Sequence, residues 1–224
     1  MTKARAALVA FMLCLAAVAR ADLSRSFPAH SGARYAFRSP LGSAAVTISI
    51  VESSASRVVI EVYFARPGLL ASAMWQQFVL DVSSGKPVVR EGYLLTAEGH
   101  APERIPASAL AGLDNASLSD FLISSRADLD RWKQGVERVV VPASGPGGIE
   151  ATRYEQRTGT QVVTYWLSDD ARPLGLVKLV SRGDKPSQTY ELALEAVLTN
   201  VGARIDRKKA IDLTPEGRAL LQTR

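Results

Sequence analysis

Residues 44–65 read AAVTISIVESSASRVVIEVYFA. In the first run Val46, Ile48 and Ile50 recur at every second position. In the second, Val58, Ile60, Val62 and Phe64 do the same, with Val59, Glu61 and Tyr63 between them. A period of two sends alternate side chains to opposite faces of a strand, whereas a helix repeats at 3.6 residues. The polar break SSAS is short enough to be a turn, so the two runs predict an antiparallel hairpin with one buried face.

The same pattern extends outward. Before this hairpin, ARYAFRS (33–39) alternates aromatic and polar residues. After it come MWQQFVLDV (74–82), the turn SSGKP and VVREGYLLTAEG (88–99), which continue a meander. Gly85 and Pro87 suit the turn for different reasons, one by tolerating positive φ and the other by fixing φ.

The period is lost across 108–134. There Leu118, Phe121 and Leu122 fall at i, i+3 and i+4, Ser117 is placed to cap and Asp120 follows three residues on. That predicts a short helical insert, with a second turn of helix around Leu129 and Trp132. Strand patterns then resume at 135–143, 149–157, 161–168, 174–182 and 187–202. In the last of these, Tyr190, Leu192, Leu194, Ala196 and Leu198 share one face; helix is the alternative there, given its Leu, Glu and Ala. Thr214 and Pro215 predict a capped C-terminal helix over 213–224.

The fold class expected is mainly β (α+β). It is a strongly curved antiparallel sheet or half-barrel meander packed over a short central helical insert, with a short C-terminal helix.

The N-terminus predicts export. Lys3 and Arg5 precede the apolar run AALVAFMLCLAAV, and ARA closes it at 19–21. A basic flank, an apolar stretch and small residues at −3 and −1 make a signal peptide, cleaved after Ala21. A membrane-spanning helix needs about 20 apolar residues, and this run is shorter. Cys14 follows Leu13, so the run lacks the small residue that a lipid-modified cysteine requires. Residues 22–224 are then one β-rich domain with a flexible lead over 22–32. Without the signal, 24 basic residues face 22 acidic ones, a balance that argues against nucleic acid as a partner. No stable membrane span remains, and no thiol chemistry.

Catalytic motifs are absent from the sequence. There is no G-x-S-x-G elbow. SGPGG (144–148) joins two strand patterns and lacks the Lys-Ser/Thr ending of a phosphate loop. The two histidines, His30 and His100, are isolated, which gives no metal site. The acidic pair Asp169–Asp170 falls in a turn, where Asp bonds its own backbone. No cofactor is implied.

At VVTYWLSDDARPLGLVKLVSRG (162–183) the chain resembles the lipoprotein-carrier superfamily of periplasmic proteins, the LolA/LolB-like fold. Trp166-Leu167-Ser168-Asp169-Asp170, Pro173 and LVKLV (176–180) carry the resemblance, together with the order of signal peptide, meander, helical insert and longer meander. The resemblance implies an open half-barrel whose apolar concavity takes an acyl chain or another lipid-like molecule, with no catalysis. It implies ligand-lining roles for aromatic and apolar residues on the strands: Trp75, Phe78, Tyr165, Trp166, Tyr190 and Leu192. An arginine near the start of the sheet, Arg34 or Arg38, would be the gate. Alternation puts Tyr165 with Val163 and Leu167 on the more apolar face and turns Trp166 outward. The other expectation is an envelope interaction module that binds a protein partner through its sheet edge.

Overall fold

The computed structural model describes residues 28–66, 72–83, 88–97, 99–114, 130–141, 147–171 and 174–221. The predicted signal peptide and the predicted helix start at Ser117 lie outside these residues. Twelve strands form one open, curved sheet. The first six are β1 (Ser31–Ser39), β2 (Gly42–Ser53), β3 (Arg57–Arg66), β4 (Ser72–Asp81), β5 (Val88–Leu95) and β6 (Glu103–Ile105). The rest are β7 (Lys133–Val139), β8 (Ile149–Thr158), β9 (Gln161–Leu167), β10 (Leu176–Arg182), β11 (Tyr190–Thr199) and β12 (Ile211–Asp212).

Their order across the sheet is β12-β6-β5-β4-β3-β2-β1-β11-β10-β9-β8-β7. Two meanders, β1 to β6 and β7 to β11, are joined by antiparallel pairing of β1 with β11. Among the described residues only the short β12–β6 contact is parallel. Three-residue β6 and two-residue β12 are too short to show a period, so the sequence did not reveal them.

The hairpin predicted from residues 44–65 is present, with Ile48 opposite Val62 and Val46 opposite Phe64. Its turn closes by a bond from Ser54 N–H to the Arg57 carbonyl, 2.8 Å. Register fixes one continuous apolar face. Tyr35, Phe37, Val46, Ile48, Ile60, Val62, Phe78 and Leu94 on the first meander join Leu192, Leu194, Leu179 and Tyr165 on the second, all buried in one cluster.

Helix α1 (Ala107–Asp114) lays Leu110 on this face. A Cβ added at Gly92 of β5 would lie 2.7 Å from a Leu110 methyl, so the absence of a side chain there is what lets α1 approach. α1 starts ten residues before the helix expected from Ser117.

Over the first meander the other face is covered by the chain beyond β11. Val51, Val59, Trp75, Val79 and Tyr93 form a second cluster there with Ile205, which comes from the chain beyond β11. Glu61, buried at the centre of β3, holds that chain in place. Its carboxylate accepts the Arg204 N–H (3.0 and 3.1 Å), the Ile205 N–H (3.0 Å) and Gln77 Nε2–H (3.0 Å). Farther along, Glu103 accepts the Thr214 N–H (2.8 Å) and hydroxyl (2.9 Å). Thr214 caps helix α2 (Pro215–Leu221) through a bond from the Gly217 N–H, 3.1 Å. A Cβ on Gly217 would sit 2.0 Å from Glu103 Oε2, so only glycine lets α2 dock.

Two expectations are corrected by register. Residues 190–198 are strand, but their single apolar face ends at Leu194. A bulge between the pairs Tyr35–Leu194 and Arg34–Ala196 moves Ala196 and Leu198 to the polar side, because one extra residue inverts the alternation. His30, expected in a loose lead, is tied to the end of the sheet. Its carbonyl accepts the Val201 N–H at 2.9 Å, and its Nδ1 lies 3.2 Å from the Val201 carbonyl.

Replacing Glu61 by alanine takes the acceptor from two buried donors, the Ile205 N–H and the Gln77 amide. The expected loss is about 3 kcal/mol, since each buried unpaired group costs about 1–3 kcal/mol. Urea denaturation should show it, with faster proteolysis between residues 200 and 206. Glu61→Gln, which keeps an acceptor oxygen, should lose less.

Candidate functional site

Strands of both meanders contribute aromatic and large apolar side chains that the sequence marks as ligand-lining or that surround those residues. On the apolar face Phe37 and Tyr190 lie with ring centroids 6.0 Å apart. Tyr165 pairs across the strands with Tyr154 and Leu179. Tyr35 sends its hydroxyl to the Leu176 carbonyl, 3.3 Å, and complete burial pushes its phenol far above the ordinary tyrosine range. Phe78, Tyr165, Tyr190 and Leu192 therefore belong to one surface.

Trp75 does not. It sits three residues before Phe78, an odd spacing, and so faces the opposite side, stacked on Tyr63 at 4.7 Å. Trp166 also lies on the opposite side from Tyr165, half-buried. Arg34 and Arg38 share that outer side, paired with Glu195 (3.2 Å) and Glu191 (3.5 Å). The two arginines are in the sheet but not on the surface that Tyr165 and Phe78 form.

The apolar face carries one residue that the sequence reading passed over. Gln76 pairs with Val62 and Leu94, both in the apolar cluster. It is 1% exposed, and its Oε1 has no hydrogen-bond partner. A buried amide oxygen without a partner is costly, and most buried polar atoms have one. The signal was legible: MWQQF places two consecutive glutamines in an apolar strand, so alternation must send one of them to the apolar side.

The outer face of the second meander is organised in cross-strand rungs. Arg153, Trp166 and Lys178 stand side by side on β8, β9 and β10. Their cationic groups lie 5.9 and 5.8 Å from the indole centroid, within reach of a cation–π attraction. Trp166 donates its Nε1–H to Glu137 Oε2 on β7, 2.9 Å, and Arg153 reaches the other Glu137 oxygen at 3.3 Å. Two rungs on, Arg157 and Arg182 stand on either side of Val162. Two grooves open here. One of about 430 Å³ is bounded by Trp166, Lys178, Ala36 and Ala193 and by β7, and one of about 400 Å³ by Arg153, Arg157 and Arg182.

Among the described residues no group of three His, Cys, Asp or Glu side chains could hold a metal ion. Among them, too, no helix is long and apolar enough to cross a membrane. Asp169 and Asp170 are exposed in the turn between β9 and β10, where the Ala171 N–H bonds the Ser168 carbonyl.

No family model matches the chain, and no curated protein matches it. Solved structures similar in fold include a hypothetical protein, CT021, from Chlamydia trachomatis. Its TM-score is 0.42 at 8% identity, covering 78% of this chain and 90% of that one. Another is MucB in complex with MucA(peri), with a TM-score of 0.33 at 11% identity. It covers 88% of this chain, which spans 57% of that chain's length. Both lie under a TM-score of 0.5, so neither assigns a family or a function.

The Trp166–Glu137 contact has a readout. The indole N–H, and then Arg153, hold the Glu137 carboxyl below the ordinary glutamate range. A carboxylate with a depressed folded pKa stabilises the fold above its unfolded pKa, about 4.3. It loses that contribution as pH falls through the lower folded value. In Trp166→Phe the Glu137 carboxyl should titrate at higher pH, measured by carbon NMR of the side chain. The stability gap between Glu137→Gln and the native chain should be present at neutral pH and vanish in acid.

Proposed function

We propose that this chain is an exported protein of the cell envelope that holds a lipid-like or acyl-chain ligand against the apolar face of its sheet, without catalysis. The export signal predicted from the sequence and the absence of catalytic motifs in the sequence support this reading. The observation that carries it is Gln76. An apolar face of this width needs no amide at its centre for stability. A buried amide oxygen with nothing to accept is instead suited to a ligand whose apolar body lies on Phe78 and Leu94 and whose polar end donates a hydrogen bond. Hydroxyl or amide groups next to an acyl chain meet that description.

Access has a candidate route. α1 has eight residues, too few to be stable as a helix without packing. It is seated over Gly92 by Leu110. Lifting α1 uncovers β5 and the adjoining β4, where Gln76 lies.

Gln76→Leu separates the two roles. Removing an unpaired polar atom from an apolar setting should leave stability unchanged or raise it by about 1 kcal/mol, read by thermal denaturation. The same change should weaken binding of a monoacylglycerol about tenfold, the equivalent of about 1.4 kcal/mol. Trp75→Phe, on the opposite face, should leave that affinity as it is. Native mass spectrometry after gentle purification tests the reading as a whole. A chain that neither carries nor takes up any lipid, under all conditions tried, would overturn it.

A further inference from the structure

The last strand of the sheet leaves an edge. Among the described residues β7 pairs with β8 and with no strand on its outer side. In an edge strand every second residue turns its N–H and C=O away from its neighbour, which is a template for one more strand. Natural sheets guard such edges with charges and bulges. β7 has a bulge at Gly135, yet it leaves Val136 58% exposed, and Val140 just beyond it is 73% exposed.

The groove of about 430 Å³ runs along this edge. On this side it is lined by Glu137, Arg138 and Val139 at the end of β7 and by Val140 and Val141 just beyond it. A groove that met one face of the strand would touch alternate residues; contact with the consecutive residues 137–139 places it beside the C-terminal end of the β7 backbone. Its far wall is the outer face of β1 and β11, where Ala36 and Ala193 stand opposite each other and leave room. A chain entering here would bond to β7 on one side and rest small side chains on the alanines on the other.

The charges around the groove are unevenly engaged. Glu137 is held by Trp166 and Arg153, and Glu191 is shared by Lys178 (3.2 Å) and Arg38 (3.5 Å). The arginines are looser. Arg38 has a side chain 69% exposed, and Arg138, 65% exposed, donates to the Gly147 carbonyl at 3.2 Å and lies 3.8 Å from Glu150. Arg38 and Arg138 are thus more exposed than the three carboxylates of the lining, Glu137 (47%), Glu195 (37%) and Glu191 (31%).

We propose that the β7 edge takes an extended, acidic segment of a protein partner as an added strand, with its carboxylate between Arg38 and Arg138. A second copy of this chain fits less well. A two-fold axis through Glu137 or Arg138 would set like charges directly opposite, which is destabilising.

The test is selection of a randomised decapeptide library on the immobilised full-length chain. Enriched peptides should alternate apolar and polar residues with Asp or Glu at a fixed position. N-methylation of alternate amides should weaken a selected peptide by about tenfold or more, as expected when backbone bonds are lost. The double variant Arg38→Glu, Arg138→Glu should switch enrichment to Lys and Arg. Val136→Lys with Val140→Lys should abolish enrichment without lowering the melting temperature, and Gln76→Leu should leave it intact, which separates this surface from the lipid reading. Three results would overturn the proposal. One is no enrichment. Another is enriched peptides that tolerate N-methylation at every position. The third is a dimer by sedimentation that dissociates in the double-lysine variant.

Discussion

The pairing of β1 with β11 is the constraint on which the sheet depends. β1 takes β2 on one side from the adjoining hairpin and β11 on the other from the far end of the chain. Without the second pairing the two meanders would be separate sheets, each with a raw central edge. Closing a loop of this length costs only slowly growing entropy, about 0.6 kcal/mol per doubling, but it delays folding because non-local contacts must be found. The apolar residues that reward closure are on β1's inner side, while Arg34–Glu195 and Arg38–Glu191 bridge the same two strands outside. Ala33, Tyr35 and Phe37 are each 2% exposed or less. The Tyr35 hydroxyl reaches past β11 to a carbonyl of β10, so one side chain ties three adjacent strands.

The segment beyond β11 determines which surfaces stay open. It leaves the seam and crosses the outer face of the first meander, where Ile205 completes an apolar cluster with Trp75 and Tyr93. It reaches the far edge at β6 and ends in α2. Two buried carboxylates, Glu61 and Glu103, fix this path by accepting main-chain N–H groups. The C-terminal tail therefore finishes the N-terminal half. The outer face of β8 to β11 is left with its rungs of Arg, Trp and Lys, and the grooves bounded by those rungs lie there.

Alternation made much of this legible. It predicted the first hairpin, the second meander and the opposite facings of Tyr165 and Trp166, while Thr214 and Pro215 marked the capped terminal helix. It also held the information that Trp75 and Phe78 cannot share a face, since their spacing is odd; grouping them by aromatic character ignored the period. The bulge in β11 was hidden, because an inserted residue is visible only against its partner strand. So were the meeting of Trp166 with Glu137 and the groove beside β7. These join residues 29 apart in one case and more than 100 apart in the other, and they depend on how strands stack in register. Gln76 lies between these extremes. The sequence shows that one glutamine must face the core, but only packing shows that its oxygen has no partner.

The two candidate surfaces are the two sides of the same strands. Phe37 and Leu192 point to the apolar face, while their neighbours Ala36 and Ala193 floor the groove. Tyr165 and Trp166 divide in the same way. A strand cannot shift one set of side chains without carrying the other, since consecutive residues share one backbone. A ligand that spreads Phe37 from Tyr190 would therefore move the alanine floor beside β7, and a strand added to β7 would press on the seam from outside. The small residues on the outer side are what make that side receptive. With larger ones at 36 and 193 the groove would fill, and β7 would lie against a flat wall.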